Sequence, residues 1–257
     1  MKIAILGAGK MGSWLAGEFA REHQVTLADR DPARATSAPG VTSVAGVEQL
    51  AELAPDLLIN AVSLSETVLA FEAVVPKLPQ ACMLADVASI KGELPRYYQS
   101  CGRRFVSVHP MFGPTFADMD ALRRENAIVI KESDAEGAAL FRNLFSRLGV
   151  TVFDLTFAEH DRMMAYSLTT PFAASLVFAA CVDETVVPGT TFARHLTIAR
   201  GLLSEDDQLL AEVLFNPHSL DQLRKITSRI EFLKHVIADR DQEEARRFFA
   251  TLRKNVQ

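Results

Sequence analysis

The chain has 257 residues, 49% of them hydrophobic, and a formal net charge of −5. A chain of this length and hydrophobic content can bury a sizeable core, in one large domain or two smaller ones. The mixed, slightly acidic charge argues against a nucleic-acid partner, which would favour a basic face. No apolar run reaches the roughly 18 residues of a membrane helix, so we expect no membrane partner.

In the first half of the chain, short apolar runs alternate with segments of helical spacing. The strand candidates are residues 2–6, 25–28, 56–62, 83–87, 105–108, 127–130 and 150–153, and the helical patterns cover roughly 11–21, 46–54, 64–77, 90–100 and 134–147. Apolar strands that alternate with helices indicate a parallel sheet covered on both faces. The pattern predicts an α/β fold with a Rossmann-like, doubly wound, mainly parallel sheet.

From about residue 155 onward the pattern is helical only. The helical segments run roughly over 157–181, 189–203, 205–215, 218–238 and 241–255. The stretch 165–181 is apolar nearly all round, which indicates burial against another helix layer or another subunit. We predict two domains, residues 1–156 for the sheet and residues 157–257 for an all-α domain.

The three cysteines, Cys82, Cys101 and Cys181, are far apart in the sequence and lack the spacing of metal ligands. Such cysteines are typical of reduced thiols in a cytoplasmic protein. We therefore expect a cytoplasmic location and no metal site.

Residues 7–12 (GAGKMG) form a Gly-x-Gly-x-x-Gly motif between the first strand and the first helix. In a dinucleotide-binding fold Gly7 permits the tight turn, Gly9 lets the backbone approach the pyrophosphate and Gly12 allows close helix–strand packing. N–H groups at the helix start, where Lys10 and Met11 lie, then hold the phosphates. A turn with only a structural role is the alternative.

An acidic residue ends the second strand, as the dinucleotide motif requires. Asp29 lies seventeen residues beyond Gly12. Its carboxylate is expected to accept hydrogen bonds from the ribose hydroxyls and to repel a 2′-phosphate, which favours NAD. Arg30 follows directly and could instead bind a phosphate, so NADP stays open as the less favoured cofactor.

Two polar clusters follow neighbouring strand candidates. They are residues 86–92 (DVASIKG) and residues 109–114 (HPMFGP). Ligands of doubly wound sheets bind outside the carboxyl ends of the strands. We therefore expect both clusters at the edge where nicotinamide and substrate meet.

Four strings together resemble the prephenate/arogenate dehydrogenase family: GAGKMG, DVASIK, HPMFGP and EHDRMMA (159–165). Their order and spacing match over most of the chain, and the helical second half resembles that family's dimerisation domain. Members of the family oxidise prephenate or arogenate with NAD(P) on the route to tyrosine. The resemblance implies an NAD-dependent oxidative decarboxylation of a small molecule by a homodimer.

The resemblance also implies roles for three residues. His109 is the catalytic histidine, which accepts the proton of the ring hydroxyl as hydride leaves the same carbon. Ser89 orients the histidine or the hydroxyl, and Lys91 places positive charge near the nicotinamide or a substrate carboxylate. The alternatives are a histidine that caps a turn, a serine that caps the following helix and a solvated lysine.

The second domain departs from the family in one respect. The family places a second substrate-contacting histidine where this chain has Thr169 and Thr170. These threonines are candidate substrate contacts, and 4-amino-4-deoxyprephenate is an alternative substrate. Arg200 best matches the family's carboxylate-binding arginine, and Arg194 is a substitute.

The string Glu159-His160-Asp161 opens the first helix of the predicted second domain. Acidic residues in a first turn complement the helix dipole. We therefore favour capping and interdomain contact over catalysis for these residues.

Two other functions remain open on the sequence. One is a 3-hydroxyacid-type dehydrogenase with the same two-domain plan. That class usually relies on a lysine in the helical domain, for which this chain has no obvious equivalent. The other is a non-catalytic nucleotide-binding sensor. The presence of Ser89 and His109 argues against it, because a binding protein needs no base at this edge.

Overall fold

The structure is a computed structural model. It describes residues 1–31, 33–34, 39–44, 47–112, 125–183, 185, 187–205 and 207–256. The last two residues of the HPMFGP string, Gly113 and Pro114, lie outside the described residues.

The described strands form a single eight-stranded sheet, in the order β3-β2-β1-β4-β5-β6-β7-β8. The strands are β1 (Lys2–Leu6), β2 (Gln24–Ala28), β3 (Val41–Val44), β4 (Leu57–Asn60), β5 (Met83–Asp86), β6 (Phe105–Pro110), β7 (Asn126–Ile130) and β8 (Thr151–Leu155). Every neighbouring pair is parallel except β6 and β7, which are antiparallel. The predicted Rossmann-like, mainly parallel sheet is confirmed.

Helices connect the strands and make up most of the later part of the chain. They are α1 (Lys10–Phe19), α2 (Val47–Glu52), α3 (Thr67–Val74), α4 (Leu94–Cys101), α5 (Ala135–Leu148), α6 (Phe157–Met164), α7 (Thr170–Ala180), α8 (Thr190–Leu203), α9 (Asp207–Leu214), α10 (Ser219–Asp239) and α11 (Gln242–Asn255). A π-helical turn, Ala165–Thr169, joins α6 to α7.

The central strands are buried on both faces. Leu57, Leu58 and Ile59 of β4 are fully inaccessible to solvent, and each such side chain contributes about 1.5–3 kcal/mol through burial. Helix α5 packs so closely on the sheet that a Cβ at Gly137 would lie 2.6 Å from the sulfur of Met83. This tight packing holds α5 against the first residues of β5 and β6.

The chain forms two compact units. The first contains Met1–Met164 and Glu205–Asn216, and the second contains Ala165–Ser204 and Pro217–Gln257. Helix α9 belongs to the first unit, where the carboxylate of Glu212 accepts hydrogen bonds from the backbone of Leu64 and Ser65 at 3.2 and 2.9 Å. The domain boundary after residue 156 is a prediction from sequence pattern. The contacts instead assign α6 and α9 to the first unit.

The second unit consists of α7, α8, α10 and α11 with the π-helical turn. Its buried residues, among those described, are small or medium-sized: Ala165, Thr169, Ala173, Ala199, Ser219 and Val236. Its exposed large apolar residues are Tyr166, Val177, Val182, Val187, Ile198, Leu203, Leu220, Leu223, Ile230, Leu233, Ile237, Phe249, Leu252 and Val256. This unit therefore leaves much apolar side-chain surface uncovered.

One helical stretch of the described chain, Phe157–Ala180, is long and apolar enough to cross a membrane by length and composition. It has 24 residues and an apolar window of mean hydropathy 1.4. This corrects the expectation that no stretch reaches that length. A core helix of a soluble protein passes the same test, so the stretch is weak support for a membrane location.

Candidate active site

The glycine-rich loop leaves an open surface at the start of α1. A Cβ at Gly7 would lie 2.6 Å from the carbonyl oxygen of Ala61, and a Cβ at Gly12 would lie 1.9 Å from that of Gly7. Gly7 also has a φ of +94°, which favours glycine. A Cβ at Gly9 would meet nothing within 4 Å, and Gly9 precedes α1 with no side-chain cap. The loop therefore packs tightly on the protein side and is open where a pyrophosphate would approach.

Asp29 lies at the end of β2, beside this loop. Its Oδ2 accepts a hydrogen bond from the backbone N–H of Ala8 at 2.7 Å, and its Oδ1 accepts one from that of Asp31 at 2.9 Å. The guanidinium of Arg30 is largely exposed and lies 3.8 Å from the carboxylate of Glu66. Asp29 and Arg30 line a cavity of about 700 Å³ together with Gly7 and Gly9. Its residues and size fit the adenosine half of a dinucleotide.

A chain of hydrogen bonds reaches His109 at the carboxyl end of β6. The Nδ1 atom of His109 lies 3.0 Å from Nε2 of His160, and Nδ1 of His160 lies 2.9 Å from Oδ1 of Asp161. His109 is 6% exposed and His160 is fully buried. We call these three residues the His–His–Asp chain.

The carboxylate of Asp161 is anchored by the segment that follows β5. Its Oδ1 accepts a hydrogen bond from the backbone N–H of Lys91 at 2.8 Å, and its Oδ2 accepts one from that of Gly92 at 2.9 Å. The carbonyl oxygen of Asp161 also accepts a bond from the side-chain amide of Asn216 at 2.9 Å. The end of β6, the segment after β5 and α6 are therefore joined at one place.

The structure corrects the expectation for Lys91. Its side chain is buried, and its ammonium donates to Asp86 Oδ1 and to the carbonyl oxygen of Val108, each at 2.7 Å. The hydroxyl of Tyr98 donates to the other oxygen of Asp86 at 2.8 Å. A buried carboxylate needs such partners, because desolvating it alone is costly. The ammonium is thus used inside the protein, not to contact a ligand.

Burial controls the ionisation of the His–His–Asp chain. It lowers the pKa of His109 well below the ordinary value, and electrostatic interactions with His160 and Lys91 lower it further. Burial also lowers the pKa of His160, although Asp161 opposes this effect. Burial raises the pKa of Asp161, but the bonds from His160 and from the backbone of Lys91 and Gly92 outweigh it, and the net shift is downward. Near neutral pH the two imidazoles are neutral and the carboxylate is ionised.

Ser89 lies half-buried between β5 and Lys91. Its hydroxyl makes no hydrogen bond within the described part of the chain, so it can bind a ligand. The alternative that Ser89 caps the following helix does not hold, because α4 begins at Leu94 and its N-cap is Glu93.

The predicted substrate residues of the second unit fall into two pairs. Thr169 is buried, and its hydroxyl lies 2.6 Å from that of Ser219, while the hydroxyl of Thr170 accepts a bond from Gln222 at 2.9 Å. Both threonines therefore bond to residues of α10, and their contact with substrate stays a prediction. Arg194 and Arg200 are exposed on α8 and make no ion pair with any described residue.

The capping prediction for the start of α6 is confirmed at Glu159 only. The N–H of Glu159 donates to the hydroxyl of Thr156 at 3.2 Å, and the N–H of Thr156 donates to Glu159 Oε2 at 2.8 Å. This reciprocal pair is a capping box. His160 and Asp161 instead join the His–His–Asp chain, which the sequence analysis missed.

One signal could have identified His160 and Asp161. The buried residues of α6 are Phe157, His160, Asp161 and Met164. Their spacing of three, four and seven defines the inner face of a helix. A histidine and an aspartate on that face need buried polar partners, and His109 at the end of β6 is a natural partner for His160.

The fold and this site together define a class of protein. A parallel sheet with an open glycine loop, an aspartate at the end of β2 and a neutral histidine at a nearby strand end is typical of a nicotinamide-dependent dehydrogenase. Among the described residues no group of three or more His, Cys, Asp and Glu side chains could hold a metal ion.

The model of the prephenate dehydrogenase nucleotide-binding domain matches residues 16–152. This is more than half of the chain, which therefore belongs to the prephenate dehydrogenase family of NAD-dependent oxidoreductases. The match begins after the glycine loop, so the interpretation of that loop rests on its geometry. The matched model is that of a nucleotide-binding domain, and the open backbone at Gly9 fits a dinucleotide.

Relatives and solved structures with the same fold carry related names. Arogenate dehydrogenase 2 of Arabidopsis thaliana is 22% identical, over 96% of this chain and 73% of that protein. A prephenate dehydrogenase of A. aeolicus, solved with hydroxyphenyl propionate and NAD⁺, has a TM-score of 0.84 at 17% identity and covers 99% of this chain and 96% of its own. The arogenate dehydrogenase of Synechocystis has a TM-score of 0.78 at 19% identity and covers 99% and 98%. At these identities the structural matches show a shared fold.

Proposed function

We propose that this dehydrogenase oxidises and decarboxylates prephenate, or the related arogenate, with His109 as the proton acceptor. The observation that carries the proposal is the neutral, buried imidazole of His109 at the carboxyl end of β6. The names of the relatives, arogenate and prephenate dehydrogenases, support the substrate class.

The chain's own residues would hold substrate and proton as follows. Nε2 of His109 accepts the proton of the ring hydroxyl, and the Ser89 hydroxyl donates to or accepts from the same oxygen. Bound NAD supplies the acceptor for the hydride that leaves the hydroxyl-bearing carbon. Loss of the ring carboxylate as carbon dioxide then makes the ring aromatic, so the overall reaction is effectively irreversible.

The glycine loop would hold the cofactor. The backbone at Gly9, Lys10 and Met11 faces the pyrophosphate at the start of α1, and the helix dipole favours that negative charge. The carboxylate of Asp29 accepts hydrogen bonds from the adenosine ribose and disfavours a 2′-phosphate. Arg30 carries an exposed positive charge beside it and could bind that phosphate, so NADP stays open as the less favoured cofactor.

Prephenate carries two carboxylates, and an arginine would bind the one on its side chain. We assign this role to Arg200, with Arg194 as the substitute, because both guanidiniums are exposed without a carboxylate partner in the described chain. A bidentate arginine–carboxylate pair supplies both orientation and charge neutralisation.

We also propose a homodimer formed through the second unit. The residues Leu220, Leu223, Ile230, Leu233 and Ile237 are exposed on one side of α10, and we call them the α10 stripe. Apolar residues at such heptad-like spacing pack against another helix. A second copy of the chain would cover the stripe, and the free state of all three cysteines fits a cytoplasmic location.

The test is nicotinamide reduction by the purified protein. Prephenate, arogenate and 4-amino-4-deoxyprephenate are each offered with NAD and with NADP. We expect turnover of prephenate or arogenate with NAD, and a fall of about 10²–10⁴-fold in kcat for His109→Asn, as for loss of a general base. NAD binding, measured by calorimetry, should stay within about threefold in that variant.

The control is His235→Asn, which removes an exposed histidine of α10 and should leave turnover unchanged. If 4-amino-4-deoxyprephenate alone were turned over, that compound would replace prephenate and arogenate as the proposed substrate. Binding of NAD without turnover of any of the three compounds would reject the proposed reaction in favour of another dehydrogenase or a sensor.

A further inference from the structure

Only one assignment of donors and acceptors satisfies every hydrogen bond of the His–His–Asp chain. An ionised Asp161 can only accept, so Nδ1 of His160 must donate to it. In a neutral imidazole the other nitrogen then has no proton, so Nε2 of His160 accepts. The Nδ1 of His109 must therefore donate across the 3.0 Å contact, which leaves Nε2 of His109 without a proton.

The ionised state of Asp161 is itself enforced by the backbone. Two N–H groups, from Lys91 and Gly92, point at its two oxygens at 2.8 and 2.9 Å. Bonds from N–H groups are stronger to an ionised carboxylate than to a neutral carboxyl group, so these two bonds and that from His160 favour the ionised form. The Asp161 carboxylate is therefore a fixed acceptor, and it determines which atom donates in each hydrogen bond of the His–His–Asp chain.

The opposite tautomer of His109 would be penalised. It would place two lone pairs, on Nδ1 of His109 and Nε2 of His160, opposite each other between the buried rings. Because an unsatisfied buried polar group is costly, the tautomer with a bare Nε2 should be preferred by roughly fivefold to 150-fold.

The charged groups next to the His–His–Asp chain are paired with one another. The ammonium of Lys91 donates to the carbonyl oxygen of Val108 in β6, but Asp86 of β5 is paired with it at 2.7 Å, and the hydroxyl of Tyr98 in α4 donates to the same carboxylate. This leaves Asp161 as the carboxylate joined directly to the histidines. When His109 takes up a proton at Nε2, the positive charge is stabilised through His160 toward Asp161.

We infer that His160 and Asp161 are positioning residues, which hold the ring of His109 and fix its tautomer so that Nε2 is the proton-accepting atom. This inference rests on the proposed function for its catalytic meaning. The tautomer itself can be measured in the protein without cofactor or substrate. In other enzymes that use a histidine base, a third group likewise orients the imidazole.

The first test is ¹⁵N NMR of the histidine-labelled, cofactor-free protein at neutral pH, with His109 assigned by comparison with His109→Asn. We expect a protonated Nδ1 and a bare Nε2 at His109. The Asp161→Asn variant should lose this preference, because its amide can donate to His160 and reverse the chain. A protonated Nε2 at His109 in the unaltered protein would overturn the inference without any variant.

The second test separates positioning from mere packing. Gln at position 160 offers an amide oxygen that can accept from Nδ1 of His109, whereas Leu fills the space without an acceptor. We therefore expect His160→Gln to retain the tautomer of His109 and to keep kcat at least tenfold above that of His160→Leu. Equal kcat values and equal tautomers in the two variants would contradict the inference.

In turnover assays Asp161→Asn should lower kcat by about 10²–10⁴-fold and change KM and NAD affinity by less than about threefold. The matched control is Glu159→Gln, on the same helix two residues away, which alters the capping box and leaves kcat unchanged. If the unaltered protein turns over none of the three substrates, the proposed function fails while the NMR test still decides the tautomer. A kcat for Asp161→Asn within threefold of the unaltered enzyme would refute the positioning role.

Discussion

The two units of this protein bury different kinds of side chain. The first unit buries large apolar residues and, at the strand ends, a set of ionisable groups that includes Asp86, Lys91, His160 and Asp161. The second unit, over its described residues, buries mainly small ones such as Ala165 and keeps many large apolar side chains at the surface. The first unit therefore satisfies its own polar groups, whereas the second has apolar surface that its own chain does not cover.

This difference predicts where each unit is sensitive to change. Close packing at Gly7, Gly12 and Gly137 of the first unit leaves no room for an added atom, and the buried charge of Lys91 has a specific partner in Asp86. In the second unit a single added atom finds space, while a charge placed on the α10 stripe should disturb association. Each of the following predictions pairs a change in one unit with a matched change in the other, or with a control on the same helix.

The largest expected effect is at Gly12. Its Cβ would lie 1.9 Å from the backbone oxygen of Gly7, which cannot move without breaking the loop, whereas a Cβ at Gly201 in α8 meets nothing within 4 Å. We expect Gly12→Ala to cost about 4–5 kcal/mol or more of unfolding free energy. Gly201→Ala should be neutral or stabilising by up to about 1 kcal/mol, because alanine favours the helix.

Urea unfolding of both variants measures these energies, and NAD binding provides a second readout. Gly9→Ala serves as the local control, since its Cβ meets no atom of the protein. It should unfold like the unaltered chain but bind NAD more weakly. Equal unfolding midpoints for Gly12→Ala and Gly201→Ala would disprove the described packing of the loop.

The next largest loss of unfolding free energy is expected at the buried ion pair of Lys91 and Asp86. Lys91→Met leaves the carboxylate of Asp86 buried with only Tyr98 and a backbone N–H as partners. Breaking a buried pair in this way costs about 3–5 kcal/mol. Lys234 and Glu231 on α10 also form a lysine–carboxylate pair, at 2.9 Å, but this pair is exposed to solvent, so Lys234→Met should cost less than about 1 kcal/mol.

Chemical denaturation of the two lysine variants gives the comparison directly. A Lys91→Met protein as stable as Lys234→Met would mean that the ammonium does not neutralise Asp86. The loss should also be smaller in the double variant Lys91→Met/Asp86→Leu, because the orphaned carboxylate is then gone.

A smaller effect per copy is expected on the free energy of dimer association. Ile230→Lys places a charge in the α10 stripe and removes an apolar contact worth about 1.5–3 kcal/mol for each copy. We expect the dimer dissociation constant, measured by analytical ultracentrifugation, to rise by roughly a hundredfold or more. Ser228→Lys adds the same charge to the same helix outside the stripe and should leave dissociation unchanged; identical behaviour of the two variants would exclude α10 from the interface.

Local pattern was enough to predict most of the fold. The alternation of apolar runs with helical segments predicted the parallel sheet, and the glycine motif predicted where α1 begins. The short strand β3 was missed, because four residues with two polar side chains, Val41–Val44, carry little apolar signal. The antiparallel direction of β7 depends on how the chain returns after β6, which no local pattern encodes.

The site was predicted less completely, because its key contacts join distant residues. His109 and His160 are 51 residues apart, and nothing near either one indicates the other. Lys91 was expected at a ligand because sequence cannot tell whether an ammonium points outward or toward a buried Asp86. The contact of Thr169 with Ser219 could not be predicted for the same reason, since the two residues are 50 positions apart.

The smallest predicted effect is a pH dependence of stability that belongs to the first unit. The pKa of His109 is lowered in the folded protein, mainly by burial, while the unfolded chain has the ordinary value near 6.5. Below about pH 6.5 the unfolded state therefore binds a proton that the folded state does not, and stability falls as the pH falls. Between pH 7 and pH 5.5 we expect a loss of about 1 kcal/mol from His109, measured by urea unfolding at each pH. The variant His109→Asn should flatten this slope, whereas His235→Asn in the second unit should keep it. An unchanged slope in His109→Asn would mean that His109 takes up its proton as readily in the fold as in the unfolded chain, and would remove the argument that burial keeps it neutral.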